Sequence, residues 1–300
     1  MFDSSPFDVS PLGDRESTPL AFASRPAASG GVPAWSIADE RAFLDHIPSL
    51  FLASDLFAAA YLRAGRHCPR PVTPLTLSAM VTCEGPWLDQ GDLDVYLACV
   101  SLALRQGGRA PRLRCLAEEP ARLAGLTGKT GMTRFVARLH RLHAAHMACG
   151  DGRFSARMQL LSAVMRDEAS GTLRMEFGPE PFEALRDAPG VARFITDRAT
   201  LGRDGLGKWL LGVAWTLRET CLIDPQRLRA MAPRGKVRDI LPLLQEFVRR
   251  GYIRDMVTRS DGCVIVQPGH HPGRTHAADT NAAVCGQGGG NALAVCRLLT

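Results

Sequence analysis

The residues with most chemistry to offer are arginines, and they come in two blocks. Gly128-Lys129-Thr130 opens a run in which Thr133, Arg134, Arg138 and Arg141 follow. Positions 134, 138 and 141 share one helical face, opposite Phe135, Val136, Leu139 and Leu142. A second set, Arg234, Lys236 and Arg238, stands just ahead of another apolar helical pattern. A guanidinium fork suits two tasks: bidentate pairing with guanine O6 and N7, and pairing with phosphate oxygens. Arg166, Arg174, Arg254 and Arg259 lie in or beside β-rich hairpin segments and are expected to touch a sugar–phosphate backbone.

Charge is segregated along the chain. Residues 103–141 hold nine arginines and lysines against Glu118 and Glu119, and residues 226–259 hold nine against Asp239, Glu246 and Asp255. The whole chain of 300 residues carries a formal charge of only +6, so the remainder is net acidic. A bias toward arginine (the chain has three lysines, Lys129, Lys208 and Lys236) explains Arg over Lys but not the clustering. Two basic blocks on an acidic background point to a polyanion touched at two places.

Other chemistries fare worse. Gly128-Lys129-Thr130 imitates the end of a phosphate-binding loop, but Leu123 stands where that motif needs its first glycine. His140, His143 and His146 recur at a spacing of three without a carboxylate or cysteine partner at metal-site spacing. His270, His271 and His276 lie in a Gly/Pro-rich tail. Gly286–Asn291 resembles a dinucleotide fingerprint, yet too little chain follows it for a βαβ unit. The nine cysteines include no CxxC pair and read as reduced thiols packed as small apolar groups. No nucleophile–base constellation emerges, no cofactor is expected, and no apolar run reaches the length of a membrane span. The chain reads as a non-enzymatic cytoplasmic protein.

The elements that must position the arginines repeat. In the first unit a strand at Pro74–Thr82 and a turn at Glu84-Gly85-Pro86 precede a helix starting near Gln90–Asp92. A short helix at Glu118–Leu126, a turn at Thr127–Gly131 and a helix from Met132 follow, the last including Met147 and closing at Gly150. Arg157–Met165 and Thr172–Phe177 then form a hairpin. In the second unit Gly205–Thr220 is a helix, and Asp224-Pro225 launches another over Gln226–Met231. Ile240, Leu243, Leu244, Phe247 and Val248 mark a third helix, capped by Gly251, with Pro242 tolerable only in its first turn. Tyr252–Arg259 and Cys263–Gln267 flank an Asp-Gly turn.

Helix, short helix, longer helix and hairpin is the order of a winged helix, and it occurs twice. The expected fold is α+β, mainly α, with two tandem winged-helix domains bearing a β-hairpin wing each. Boundaries fall at a flexible arm over 1–34, a first domain with an N-terminal extension over 35–190, a second over 191–267, and a flexible tail over 268–300.

Three stretches carry a resemblance. Asp92-Leu93-Asp94-Val95-Tyr96-Leu97, Arg134–Leu142 and Gly207-Lys208-Trp209-Leu210-Leu211-Gly212, with the upstream Ile47–Phe57, are similar to the TrfA-type plasmid replication initiators. The likeness spans roughly residues 40–267 and rests on the order and spacing of apolar patterns. It implies tandem winged helices that bind repeated origin sequences in double-stranded DNA, help open the duplex and recruit host replication proteins such as a helicase. It also implies exchange between a DNA-binding monomer and a homodimer. The family's sliding-clamp motif would fall at Ser49-Leu50-Phe51 or Asp55-Leu56-Phe57, but Ile47 and Ala53 replace its glutamine. A transcriptional repressor using the same modules, an enzyme with a spatially assembled site, and a protein-binding scaffold remain as alternatives.

Overall fold

The computed structural model describes residues 47–61, 70–72, 80–108, 110–150, 155–218, 220–224, 240–260 and 262–269. The expected arm, nearly all of the tail, and the segment 225–239 lie outside them. Among the described residues the chain is mixed α/β, with eight helices and four small sheets.

Asp89 fixes where the central helix begins. Its carboxylate accepts the N–H groups of Gly91 and Asp92, while the Asp92 carboxylate accepts the N–H of Asp89, a reciprocal capping box. Helix α2 (Gln90–Arg105) follows, buried on nearly every side along its first three turns. Ahead of it come α1 (47–52), β1 (Phe57–Ala58), β2 (Arg70–Val72), β3 (Met80–Glu84) and β4 (Leu88–Asp89). After it come β5 (Arg112–Leu116), α3 (Glu118–Leu123) and α4 (Gly128–Ala144). Phe135, Leu139 and Leu142 of α4 are buried as their spacing predicts.

The next segment departs from the sequence reading. Helix α4 opens at Gly128, so Lys129 and Thr130 sit in its first turn and not in a preceding loop. It also ends at Ala144, and Met147 and Gly150 belong to β6 (His146–Gly150). The segment read as one strand is two, β7 (Ser155–Gln159) and β8 (Leu161–Arg166), separated at the buried Leu160. Strand β7 joins a four-stranded antiparallel sheet ordered β2-β3-β6-β7, whereas β8 forms the expected hairpin with β9 (Thr172–Phe177). The hairpin takes β5 as its third strand, giving the order β5-β9-β8.

Helices α5 (Pro179–Arg186) and α6 (Val191–Thr200) lead to α7 (Gly205–Thr216), every residue of which is buried. Apart from Lys208 and Thr216 the helix is apolar on all sides, as suits a helix in an interior. Strand β10 (Cys221–Ile223), helix α8 (Ile240–Arg249), and strands β11 (Ile253–Thr258) and β12 (Val264–Pro268) complete the chain. Pro242 falls in the first turn of α8, where its missing N–H costs nothing, and Gly251 caps the helix at φ 77°. The last sheet is ordered β10-β12-β11, the same plan as β5-β9-β8: the strand after the first helix pairs with the last strand of the unit. Among the described residues the two sheets therefore share one plan, with a third strand in each that the apolar pattern had not shown, while the short helix expected in the second unit lies outside those residues.

Segment 47–61 clasps both units. Ile47, Leu50, Phe51, Leu56 and Phe57 are at most 2% exposed, so neither clamp-motif candidate is accessible. A Cβ added at Gly212 of α7 would stand 2.7 Å from the Leu52 carbonyl oxygen, so only glycine permits this approach.

Candidate nucleic-acid interface

Helix α4 presents its N-terminus to solvent. Thr127 is extended at the cap position, its side chain makes no capping bond, and no acid occupies the first turn. The first N–H groups therefore point outward and favour an anion. Lys129, Thr130, Thr133 and Arg134 are all exposed there, and Lys129 and Arg134 reach no carboxylate among the described residues. The Thr133 hydroxyl donates back to the Lys129 carbonyl at 3.1 Å. The start of α4, the helix α3 and the β8–β9 turn enclose an open groove of about 1120 Å³, lined by Arg122, Lys129, Thr133 and Arg166 with Glu118 and Glu119 on the α3 side.

Arg166 and Arg174 differ in availability. Arg166 is a quarter exposed and held by Glu168 at 2.8 Å. Arg174 is exposed and stands directly across from Arg114 on β5, on the outward face of the sheet that also carries Arg112, itself paired with Glu176. Like charges facing each other across strands destabilise a sheet. The sequence reading named Arg174 but not Arg114. The alternation in Arg112-Leu113-Arg114-Cys115, charges out and apolar groups in, was the signal available.

Arg138 and Arg141 do not share the solvent face with Arg134. Arg141 donates to Asp92 through Nη2 at 2.7 Å and Nε at 3.1 Å, and Arg138 donates to Asp89 at 3.3 Å. Their side chains are 20% and 16% exposed, against 0% and 1% for the carboxylates. The first turn of α2 is a buried acidic pair, and it draws both guanidinium groups inward. Burial together with the Asp89 charge pushes the Asp92 carboxyl up to about 6 despite Arg141.

In the second unit Arg254 and Arg259 are exposed, on β11 and just beyond its end. Arg234, Lys236 and Arg238 lie outside the described residues, as does the expected helix Gln226–Met231. The three histidines of the first unit do not share a helix face: His146 is on β6 bonded to Gln159, and His143 contacts the Leu161 carbonyl. Among the described residues no group of three His, Cys, Asp or Glu side chains is placed to hold a metal ion, and no helix is long and apolar enough to cross a membrane. Gly128-Lys129-Thr130 follows helix α3 and a turn, not the strand that a phosphate-binding loop requires.

A second polar cluster went unread in the sequence. Asp94 of α2 accepts Arg198 Nε of α6 at 2.9 Å and Lys208 Nζ of α7 at 2.7 Å. Arg198 also donates to the Gln90 side-chain and backbone oxygens at 2.8 and 3.1 Å, and to the Lys208 carbonyl at 3.0 Å. Burial lowers the pKa of both cations, against the pull of Asp94. Asp92, Asp94, Arg141 and Lys208 all fall within the stretches that carried the family resemblance, so part of that pattern records an internal charge network.

The sequence matches no protein-family model and no curated protein. Two solved structures share its general course, both comprising domains 2 and 3 of RctB. The selenomethionine form is 11% identical with a TM-score of 0.46, covering 75% of this chain and 98% of that one. The other is 11% identical with a TM-score of 0.43, covering 72% and 96%. At that distance the functional argument rests on this chain's own residues.

Proposed function

We propose that the chain is a sequence-specific DNA-binding protein of the replication-initiator type, acting by binding and not by catalysis. The observation that carries this reading is the repeated plan: helix, strand, helix, then an antiparallel pair closing on the first strand, twice, with exposed cations on each copy. In a winged helix the third helix enters the major groove and the hairpin follows the backbone. Helix α4 with Lys129, Thr130, Thr133 and Arg134 then reads bases and phosphates, while Arg166, Arg174 and Arg114 form the wing contacts. In the second unit Arg234, Lys236 and Arg238 supply the helix contacts, and Arg254 and Arg259 the wing. Origin repeats on a plasmid, host replication proteins such as a helicase, and a homodimeric storage form complete the proposal, as the family resemblance implies.

The test is footprinting and salt titration on DNA flanking the gene. Protection of regularly spaced repeats is expected, with affinity falling by about 10³–10⁵ between low and moderate salt if six to ten phosphates are engaged. Permanganate reactivity in AT-rich sequence beside the repeats would mark an initiator. Protection without any opening would instead mark a repressor. Affinity indifferent to salt would sink the DNA reading.

A further inference from the structure

The charge network has an address that a core network need not have: it joins the two repeated units. Gln90 and Asp94 belong to the first helix of the first unit, Lys208 to the first helix of the second, and Arg198 to the helix that leads into it. Arg198 spends four hydrogen bonds here, and its side chain is 3% exposed. Lys208 is 5% exposed and also donates to the Tyr61 hydroxyl at 3.1 Å. The single Tyr61 hydroxyl proton is within reach of Asp94 at 3.3 Å and of the Gly202 carbonyl at 3.4 Å. Trp209 Nε1 donates to the Ser54 carbonyl at 2.7 Å, so the clasp 47–61 is pinned to the same helix.

The hydrophobic effect that packs these helices has no preferred direction. Hydrogen bonds from a planar guanidinium do have direction, and out of water their loss is costly. Two cations share one carboxylate, and the two Gln90 oxygens and the Lys208 carbonyl take three further guanidinium protons, so directed bonds tie α2 to α6 and α7. On DNA the relative placement of those helices has a consequence: contact points rotate with the duplex, one turn per about 10.5 base pairs.

We infer that the Asp94–Arg198–Lys208 junction fixes the spacing and rotational phase at which the two units engage DNA, so that these are positioning residues for site selection. The inference rests on the DNA-binding reading. It is tested with Lys208→Met, which keeps the alkyl stem and leaves the Asp94–Arg198 pair in place, beside Lys208→Arg. Affinity is measured on the footprinted site and on versions with two base pairs inserted between its protected halves. The wild type and Lys208→Arg are expected to lose at least tenfold on the insertion, and Lys208→Met less than threefold. Spin labels encoded at Thr133 and Val257 should give one narrow distance distribution in the wild type and a broad one in Lys208→Met. Should Lys208→Met fail to fold, Gln90→Leu, which removes a neutral acceptor of Arg198, takes its place. A folded variant with the wild-type insertion penalty and a narrow distance overturns the inference alone. Failure of the wild type to bind any duplex overturns the DNA reading and this inference with it.

Discussion

Helix α4 holds two sets of cations that sequence spacing treats alike and the fold treats oppositely. Lys129 and Arg134, in its first two turns, face solvent. Arg138 and Arg141, one and two turns later, are drawn onto the buried carboxylates of Asp89 and Asp92. A helical wheel groups 134, 138 and 141 together because it knows only angle. What separates them is position along the axis: the C-terminal half of α4 crosses the first turn of α2, and the N-terminal half extends past it. One half is an interface in waiting, the other a structural rivet.

The largest effect separating the halves is on stability. Arg141→Ala leaves Asp92 buried beside Asp89 without its cation, and should cost about 3–5 kcal/mol in urea unfolding. Arg134→Ala should stay within about 0.5 kcal/mol of the wild type. A mild Arg141→Ala would mean that water reaches the acidic pair and that the rivet is not one.

A pH series sharpens the same contrast. Asp92 titrates near 6 in the folded chain against 3.8 ordinarily, so the folded state holds a proton that the unfolded state has lost between those values. Its contribution to stability is therefore present below that window and lost as pH rises through 6, by about 2–3 kcal/mol. Removing Arg141 takes away a cation that pulls this carboxyl down, so the upper end of the window should move above 6 in Arg141→Ala. In Arg134→Ala it should not move. Unfolding midpoints between pH 4.5 and 7.5 decide the matter.

The sequence made much of this legible, and its failures have physical causes. Helices α2, α4, α7 and α8, the two hairpins, the cap at Gly251 and the turn glycine Gly262 came through because each is a local pattern. Strand β10 is three residues long, too short for periodicity to announce, and the places of β5 and β10 alike are set by partners far along the chain. The ion pairs failed for the same reason, since 49 residues separate Arg138 from Asp89. A hint was present nonetheless. Asp89 and Asp92 are three apart at a helix start, Arg138 and Arg141 are three apart near a helix end, and matched spacing lets two crossing helices pair twice. Asp94 offered no such hint, because its two cations come from different elements.

On DNA the contrast should invert. Arg134→Ala is expected to lose about 1–3 kcal/mol on a cognate site if it reads a base, which gel-shift titration against a scrambled site would show as lost preference. An unchanged ratio of cognate to scrambled affinity would return Arg134 to the role of a solvated surface charge.

The smallest effects discriminate most finely. Lys129→Ala and Arg174→Ala should weaken binding uniformly across sequences, each lowering the slope of log affinity against log salt by about one, because each removes one phosphate contact and its released counterion. Arg138→Ala should leave that slope unchanged, since its charge is already answered by Asp89 and displaces no counterion from DNA. If Arg138→Ala instead lowers the slope as much as Lys129→Ala, the guanidinium leaves Asp89 when DNA arrives. The two halves of α4 would then be states of one device, with the DNA backbone and the α2 cap competing for the same cation.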